Sequence, residues 1–218
     1  MGEQALCRQC VERFAPPVPR CRGCALRLPP GQPTGQPLCG ECLRQGPAFE
    51  HCVCAADYGF PWDALIAQAK FHARPELMIP LSALLAAAAR QVRAPAPALL
   101  LPIPLDPQRL RERGYNQAWE LARELARHLR CPAAPALLLR PVQRAHQADL
   151  SRAQRLANLR GAFMLQPNRQ LEVTGQRVAL VDDVMTTGAT LREAATVLRR
   201  AGAGAVDVYV LARTPEAH

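Results

Sequence analysis

Apolar spacing changes character near residue 58. Residues 1–50 show no sustained period and are broken up by Cys, Pro and Gly, which predicts a small loop-dominated module. Beyond Tyr58 the spacing becomes regular. Trp62 to His72 and Leu77 to Val92 carry helical patterns, and Asn116 to Arg130 places Trp119, Leu121, Ala122, Leu125, Ala126 and Leu129 on one helical face. Ala98 to Pro104, Arg177 to Asp182 and Ala205 to Ala212 are continuous apolar runs of the kind buried on both sides in a parallel sheet. A shorter run, Ala136 to Leu139, sits in a proline-punctuated stretch. Ala189 to Ala201 is helical and is stopped by Gly202 and Gly204. Strands alternating with helices predict an α/β domain, a parallel sheet with helices on both faces, over residues 51–218, preceded by a Cys-rich module over residues 1–50.

The longest apolar run, Leu81 to Ala89, is too short to span a bilayer and is followed by Arg90. The first ten residues lack a basic stretch followed by an apolar one, so a cytoplasmic protein is expected. The formal charge is +9 and rests almost wholly on arginine, since Lys70 is the only lysine. Abundant Arg, Ala and Pro fit a GC-rich coding sequence. The charge also favours polyanionic partners, although few aromatic residues are available for base stacking.

Eight of the nine cysteines fall within the first 54 residues. Without a signal sequence, such a cluster points to metal rather than disulfides. Cys21-x2-Cys24 and Cys39-x2-Cys42 form the two tight-turn pairs of a tetrahedral four-cysteine zinc site, which would be structural because four thiolates leave no position for water. Cys7 and Cys10 form another pair with no obvious partner pair and are a possible second site. Cys52 and Cys54 are expected to flank the first strand of the main domain, and Cys131 to be a small buried apolar residue.

The richest segment is VALVDDVMTTGATL, Val178 to Leu191. An apolar strand ends in Asp182 and Asp183, at the carboxyl end where ligands bind in open α/β sheets. Adjacent carboxylates can accept hydrogen bonds from a sugar diol. In Met185-Thr186-Thr187-Gly188-Ala189-Thr190, Gly188 permits a tight turn, backbone N–H groups opening the next helix face an anion, and threonine hydroxyls add donors. The combination predicts a ribose 5-phosphate site.

Two basic regions accompany it. Arg109, Arg111 and Arg113, ahead of Gly114 at a helix start, make a diphosphate clamp or a solvated loop. Lys70 is a further candidate phosphate contact. Arg140, Arg144, Arg152, Arg155 and Arg160 face a single acid, Asp149; they could track a nucleic-acid backbone, form a lid over the ligand, or line a solvated face.

The Val178–Leu191 unit resembles the phosphoribosyl pyrophosphate (PRPP) loop of type I phosphoribosyltransferases. The resemblance implies that Asp182 and Asp183 hold the ribose hydroxyls, that Thr186 to Thr190 hold the 5-phosphate, and that Mg²⁺ arrives with PRPP. A narrower resemblance rests on Asp57-Tyr58, Lys70-Phe71, the PIPL…RERGYNQ run, Gln147…Leu150-Ser151-Arg152…Arg155…Asn158-Leu159…Gly161-Ala162-Phe163, and VDDVMTTGAT. Together these resemble the ComF/GntX family. That resemblance implies a zinc ribbon before a phosphoribosyltransferase-type domain and a role in DNA uptake during natural transformation. The chain departs from the family's usual pattern in having Arg144 where a threonine is frequent. Longer members carry another CxxC upstream that would partner Cys7 and Cys10. Three functions follow: phosphoribosyl transfer to an unknown acceptor, a non-catalytic PRPP or nucleotide sensor that binds single-stranded DNA, and a zinc-ribbon adaptor for a helicase or recombination mediator. The acceptor would lie near Arg213 and Thr214.

Overall fold

The computed structural model describes residues 6–31, 37–92, 94–141 and 161–215. Along the chain come helices α1 (Arg8–Phe14) and α2 (Gly40–Gln45), strand β1 (Cys52–Asp57), and helices α3 (Trp62–Phe71) and α4 (Met78–Val92). Strand β2 (Leu99–Pro102) precedes helices α5 (Pro107–Arg113) and α6 (Gln117–Leu129). Strands β3 (Leu138–Leu139), β4 (Met164–Leu165) and β5 (Arg177–Met185), helix α7 (Ala189–Arg200) and strand β6 (Ala205–Arg213) complete the described strands and α-helices, with short 3-10 turns at Pro75–Leu77 and Gln170–Glu172.

Four strands form one parallel sheet in the order β1-β6-β5-β2, with Leu180 opposite Val208 on one side and Leu101 on the other. Every residue of β6 is buried, as the continuous apolar run requires of a strand covered on both faces. Alternation sorts the side chains. Val178, Leu180, Val206, Val208 and Val210 pack against Leu191, Ala194 and Leu198 of α7 and against the cysteine segment. Ala179, Val181, Tyr209 and Leu211 face the other way, onto α3, α4 and α6.

The cysteine segment is fastened to β1. The Cys52 N–H donates to the Arg22 carbonyl at 2.7 Å, Arg22 donates to the Glu50 carbonyl, and Arg20 pairs with Asp57 at 2.6 Å. This pairing gives Asp57 of the Asp57-Tyr58 motif a structural task.

Several expectations are corrected. Cys52 and Cys54 lie inside β1 and are buried, rather than flanking it. The Arg109–Arg113 stretch is helical, with Pro107 in its first turn and Asp106 accepting from the Gln108 N–H; Gly114, at φ 77°, closes this helix instead of opening the next. The Ala136–Leu139 strand shrinks to two residues, which pair antiparallel with β4 outside the main sheet. Among the described residues, no helix is long and apolar enough to cross a membrane.

Candidate functional site

β5 does not end at its acids. It continues to Met185, pairing Asp182 with Val210 and Val184 with Ala212. Asp182 and Asp183 are therefore consecutive strand residues that project toward opposite faces, and they have different surroundings. Asp183 is buried. Its Oδ1 accepts the Val184 N–H at 2.8 Å, and its Oδ2 lies 2.7 Å from the Nζ of Lys70 in the last turn of α3. This is a close ionic contact whose angles are not those of a hydrogen bond, so Oδ2 still has no hydrogen-bond donor.

Asp182 Oδ1 accepts the Asp183 N–H at 2.9 Å. Desolvation pushes the Asp182 carboxyl well above the usual range, and the adjacent Asp183 charge adds to the rise. Asp182 therefore keeps its proton to higher pH than an ordinary carboxylate would.

The loop beyond β5 turns at Gly188, whose φ of 73° is a conformation that L side chains avoid. A Cβ there would also collide with the Met185 methyl. Gly188 caps α7, and Thr186 and Thr187 are exposed at its mouth. The Thr187 hydroxyl accepts the Ala189 N–H at 3.3 Å, and Arg192 donates to the Thr187 carbonyl. First-turn N–H groups of a three-turn helix, flanked by threonine hydroxyls, can hold a phosphate.

The basic candidates divide. Arg109 and Arg113, one helical turn apart on α5, line a cleft with Lys70, Phe71, Ala73 and Glu112. Arg113 lies over the Phe71 ring at 5.0 Å and donates to Gln117 at 3.0 Å. Arg111 is exposed and is not part of that cleft. Arg140 is half-buried with its guanidinium 5.6 Å from the Phe163 ring. Burial lowers its pKa, the Asp106 and Asp182 charges oppose that shift, and Arg109 reinforces it. Its electrostatic neighbours are thus groups of this site. Arg144, Arg152, Arg155 and Arg160 lie outside the described residues.

Two other residues contribute without having been singled out for it. Asn116 caps α6 and donates to the Ile103 carbonyl at 3.0 Å, which ties the end of β2 to the helix that follows α5. Arg213, expected near an acceptor, is buried. Its Nε donates to the Cys24 carbonyl at 3.1 Å, and its Nη1 donates to the Thr214 carbonyl at 2.6 Å and reaches the Met185 carbonyl at 3.4 Å. The sequence signal for Asn116 was its position before an amphipathic helix. For Arg213 there was none, because nothing local distinguishes it from a solvated strand-end arginine.

Cys21, Cys24, Cys39 and Cys42 are buried together with their sulfurs all within 4.8 Å of one another. The Cys24 and Cys39 sulfurs are 3.6 Å apart, close to the about 3.8 Å between thiolates on a tetrahedral zinc ion. The four residues therefore fit such an ion. A hydrogen bond from Cys24 lowers the Cys21 thiol to about 4, whereas burial and the Cys21 charge push Cys42 up to about 12. A bound cation would supply the charge that lets all four ionise. Cys7 and Cys10 are exposed, with the Cys10 N–H 3.3 Å from the Cys7 sulfur, and no third ligand joins them among the described residues. Cys52 and Cys54 are raised by burial, as expected of packing thiols, and Cys131 is half-buried.

Residues 116–218 match the model of the phosphoribosyl transferase domain. The chain is 36% identical over 218 residues to DNA utilization protein YhgH of Escherichia coli K12, covering 98% of this chain and 92% of that protein. It is 35% identical over 217 residues to Competence protein F of Haemophilus influenzae, with the same two coverages. Among solved structures, a glutamine PRPP amidotransferase from Bacillus subtilis aligns with a TM-score of 0.44 at 21% identity, over 66% of this chain and 30% of that one. With the acid pair on β5, the Gly188-capped helix after it and full-length relatives at this identity, the chain belongs to the ComF/GntX family of proteins with a phosphoribosyltransferase-type domain.

Proposed function

We propose that the chain binds PRPP and transfers its phosphoribosyl group, releasing pyrophosphate, in a cytoplasmic step of DNA uptake. The observation that carries this reading is the placement of Asp182 and Asp183 at the carboxyl end of β5, one tight turn before the Gly188-capped start of α7. The ribose 2- and 3-hydroxyls would donate to the two carboxylates. The 5-phosphate would accept from the N–H groups and hydroxyls of residues 186–190. Lys70, Arg109 and Arg113 would meet the diphosphate, with Arg111 further out.

The reaction breaks the bond between the anomeric carbon and the diphosphate oxygen while an acceptor forms the new bond. Positive charge develops on the ribose ring, and the adjacent carboxylates stabilise it. Mg²⁺ carried in with PRPP would supply charge neutralisation of the leaving diphosphate. A zinc ion on Cys21, Cys24, Cys39 and Cys42 would be structural.

A second reading is that the site senses PRPP or a nucleotide while a basic surface grips single-stranded DNA, or that the cysteine segment docks a helicase or recombination mediator. It is favoured by the net charge of +9 and by relatives named for DNA utilization and competence. The test is pyrophosphate release from PRPP and Mg²⁺, with and without single-stranded DNA and free bases, in the native protein and in Asp182→Asn/Asp183→Asn. Release abolished by the double substitution supports transfer. Calorimetric PRPP binding without release under any condition supports the sensor, and absence of PRPP binding removes transfer and PRPP sensing, leaving the nucleotide sensor and the adaptor.

A further inference from the structure

Lys70 joins two parts of the site that the sequence kept apart. Its ammonium is 2.7 Å from Asp183 Oδ2, and the same residue lines the cleft of Arg109 and Arg113. The carboxylate is buried, whereas the Lys70 side chain keeps 20% of its surface exposed. One partner is thus fixed by the sheet, and the other sits on a flexible stem at the end of a helix, open to the cleft. Asp183 Oδ2 receives no hydrogen bond in this arrangement, so a ribose hydroxyl could supply there what the ammonium does not.

We propose that Lys70 is an exchangeable counter-ion: it neutralises Asp183 in the empty site and transfers to the diphosphate when PRPP binds. This rests on the PRPP reading above. In the empty site, the buried Asp183 carboxylate needs a cation, and among the described residues Lys70 is the one in ionic contact with it. When the ligand enters, its hydroxyls satisfy Asp183, and the ammonium faces a diphosphate carrying several negative charges in place of one. Coulomb attraction then favours the diphosphate side. A lysine suits this task better than the arginine used everywhere else in the chain. A compact ammonium on a four-carbon stem can change partners, whereas a planar guanidinium bound at two points resists doing so. The exchange would tie ribose recognition at Asp183 to diphosphate recognition in the cleft.

The single lysine makes the test direct, because nitrogen-15 lysine labelling gives one side-chain resonance. The Lys70 Nζ signal is followed in the intact protein during addition of ribose 5-phosphate, magnesium pyrophosphate, and PRPP with Mg²⁺, and binding of each is measured separately by calorimetry. PRPP and pyrophosphate should both move the signal. Lys70→Gln should weaken pyrophosphate binding by about tenfold while changing ribose 5-phosphate binding by less than about threefold. An unmoved Nζ signal in protein shown calorimetrically to hold PRPP would overturn the exchange and leave the PRPP reading standing. Failure of PRPP to bind at all would overturn that reading, and the exchange with it. A Lys70→Gln protein that binds pyrophosphate as tightly as the native chain would likewise exclude the transfer.

Discussion

Arg213 and Cys24 lie 189 positions apart in the chain, yet the Arg213 Nε donates to the Cys24 carbonyl at 3.1 Å. The same guanidinium reaches the carbonyl of Met185, the last residue of β5 before the Gly188 turn. One buried cation therefore clamps the cysteine knuckle to the strand that presents the acids. Replacing it with methionine leaves the acceptors on Cys24 and Thr214 without donors. Arg213→Met should cost about 2–4 kcal/mol of folding stability. Arg213→Lys should recover little, because an ammonium cannot reach acceptors on both sides as the planar fork does. Urea unfolding with an unchanged slope would report the loss as stability.

A zinc ion on Cys21, Cys24, Cys39 and Cys42 would belong to the same unit. Four thiolates on one divalent ion carry a net charge of about −2, and Arg213 is positioned to balance part of it. Purified native protein should hold one zinc per Cys21–Cys24–Cys39–Cys42 site, and Cys24→Ser should lose it while Cys131→Ser keeps it. Metal analysis checks both. A strong chelator should lower the unfolding midpoint of the native chain more than that of Arg213→Met, because the two changes remove one shared set of contacts. Equal shifts in both proteins would mean that the clamp and the metal act independently.

Much of this architecture can be read from the sequence where a single local pattern decides the outcome. The apolar runs of β5 and β6 name the central strands because only a strand covered on both faces tolerates such runs. The acids and Gly188 mark the site because their chemistry is local. What could not be read depended on partners distant in the chain. Lys70 and Asp183 are 113 positions apart, and no periodicity brings them together. The helix over Pro107–Arg113 was hidden because its charged residues show no apolar face, and helix propensity with an Asp106 cap decides it instead. Cys52 and Cys54 fell inside β1 because two buried thiols pack as small apolar residues, which the metal-rich neighbourhood obscured.

The displaced titration of Asp182 gives a signed pH dependence. Its folded-state pKa is raised, mainly by desolvation and next by Asp183. Below the unfolded carboxylate value of about 4, the acid is protonated in both states and costs nothing. As pH rises from there toward the folded value, the unfolded chain releases its proton first and stability falls; above the folded value the penalty is complete. Asp182→Asn should therefore stabilise the protein at neutral pH. The gain should shrink to nothing as pH falls to about 4, while PRPP binding is lost. Denaturant unfolding of both proteins across this range is the check, and a gain that grew toward acid pH would contradict the assignment.

Gly188 separates the needs of the ligand from those of the fold. Its φ of 73° is disfavoured for any residue with a Cβ, and an added Cβ would press on the Met185 methyl. That methyl lies at the flexible end of a side chain and can move, so the backbone angle dominates the cost. Gly188→Ala should lose about 1–2 kcal/mol of stability. Its effect on phosphate binding should be larger than that loss implies, because the turn aims the first N–H groups of α7. Ribose 5-phosphate affinity in Gly188→Ala, measured well below the unfolding midpoint, should fall by about tenfold or more. Ala189→Gly, one residue on, removes a methyl without asking for a left-handed backbone, and should keep most of the affinity. If the two variants bound ribose 5-phosphate equally well, the turn would have no part in holding the phosphate, and the 5-phosphate would have to be held elsewhere on the sheet edge.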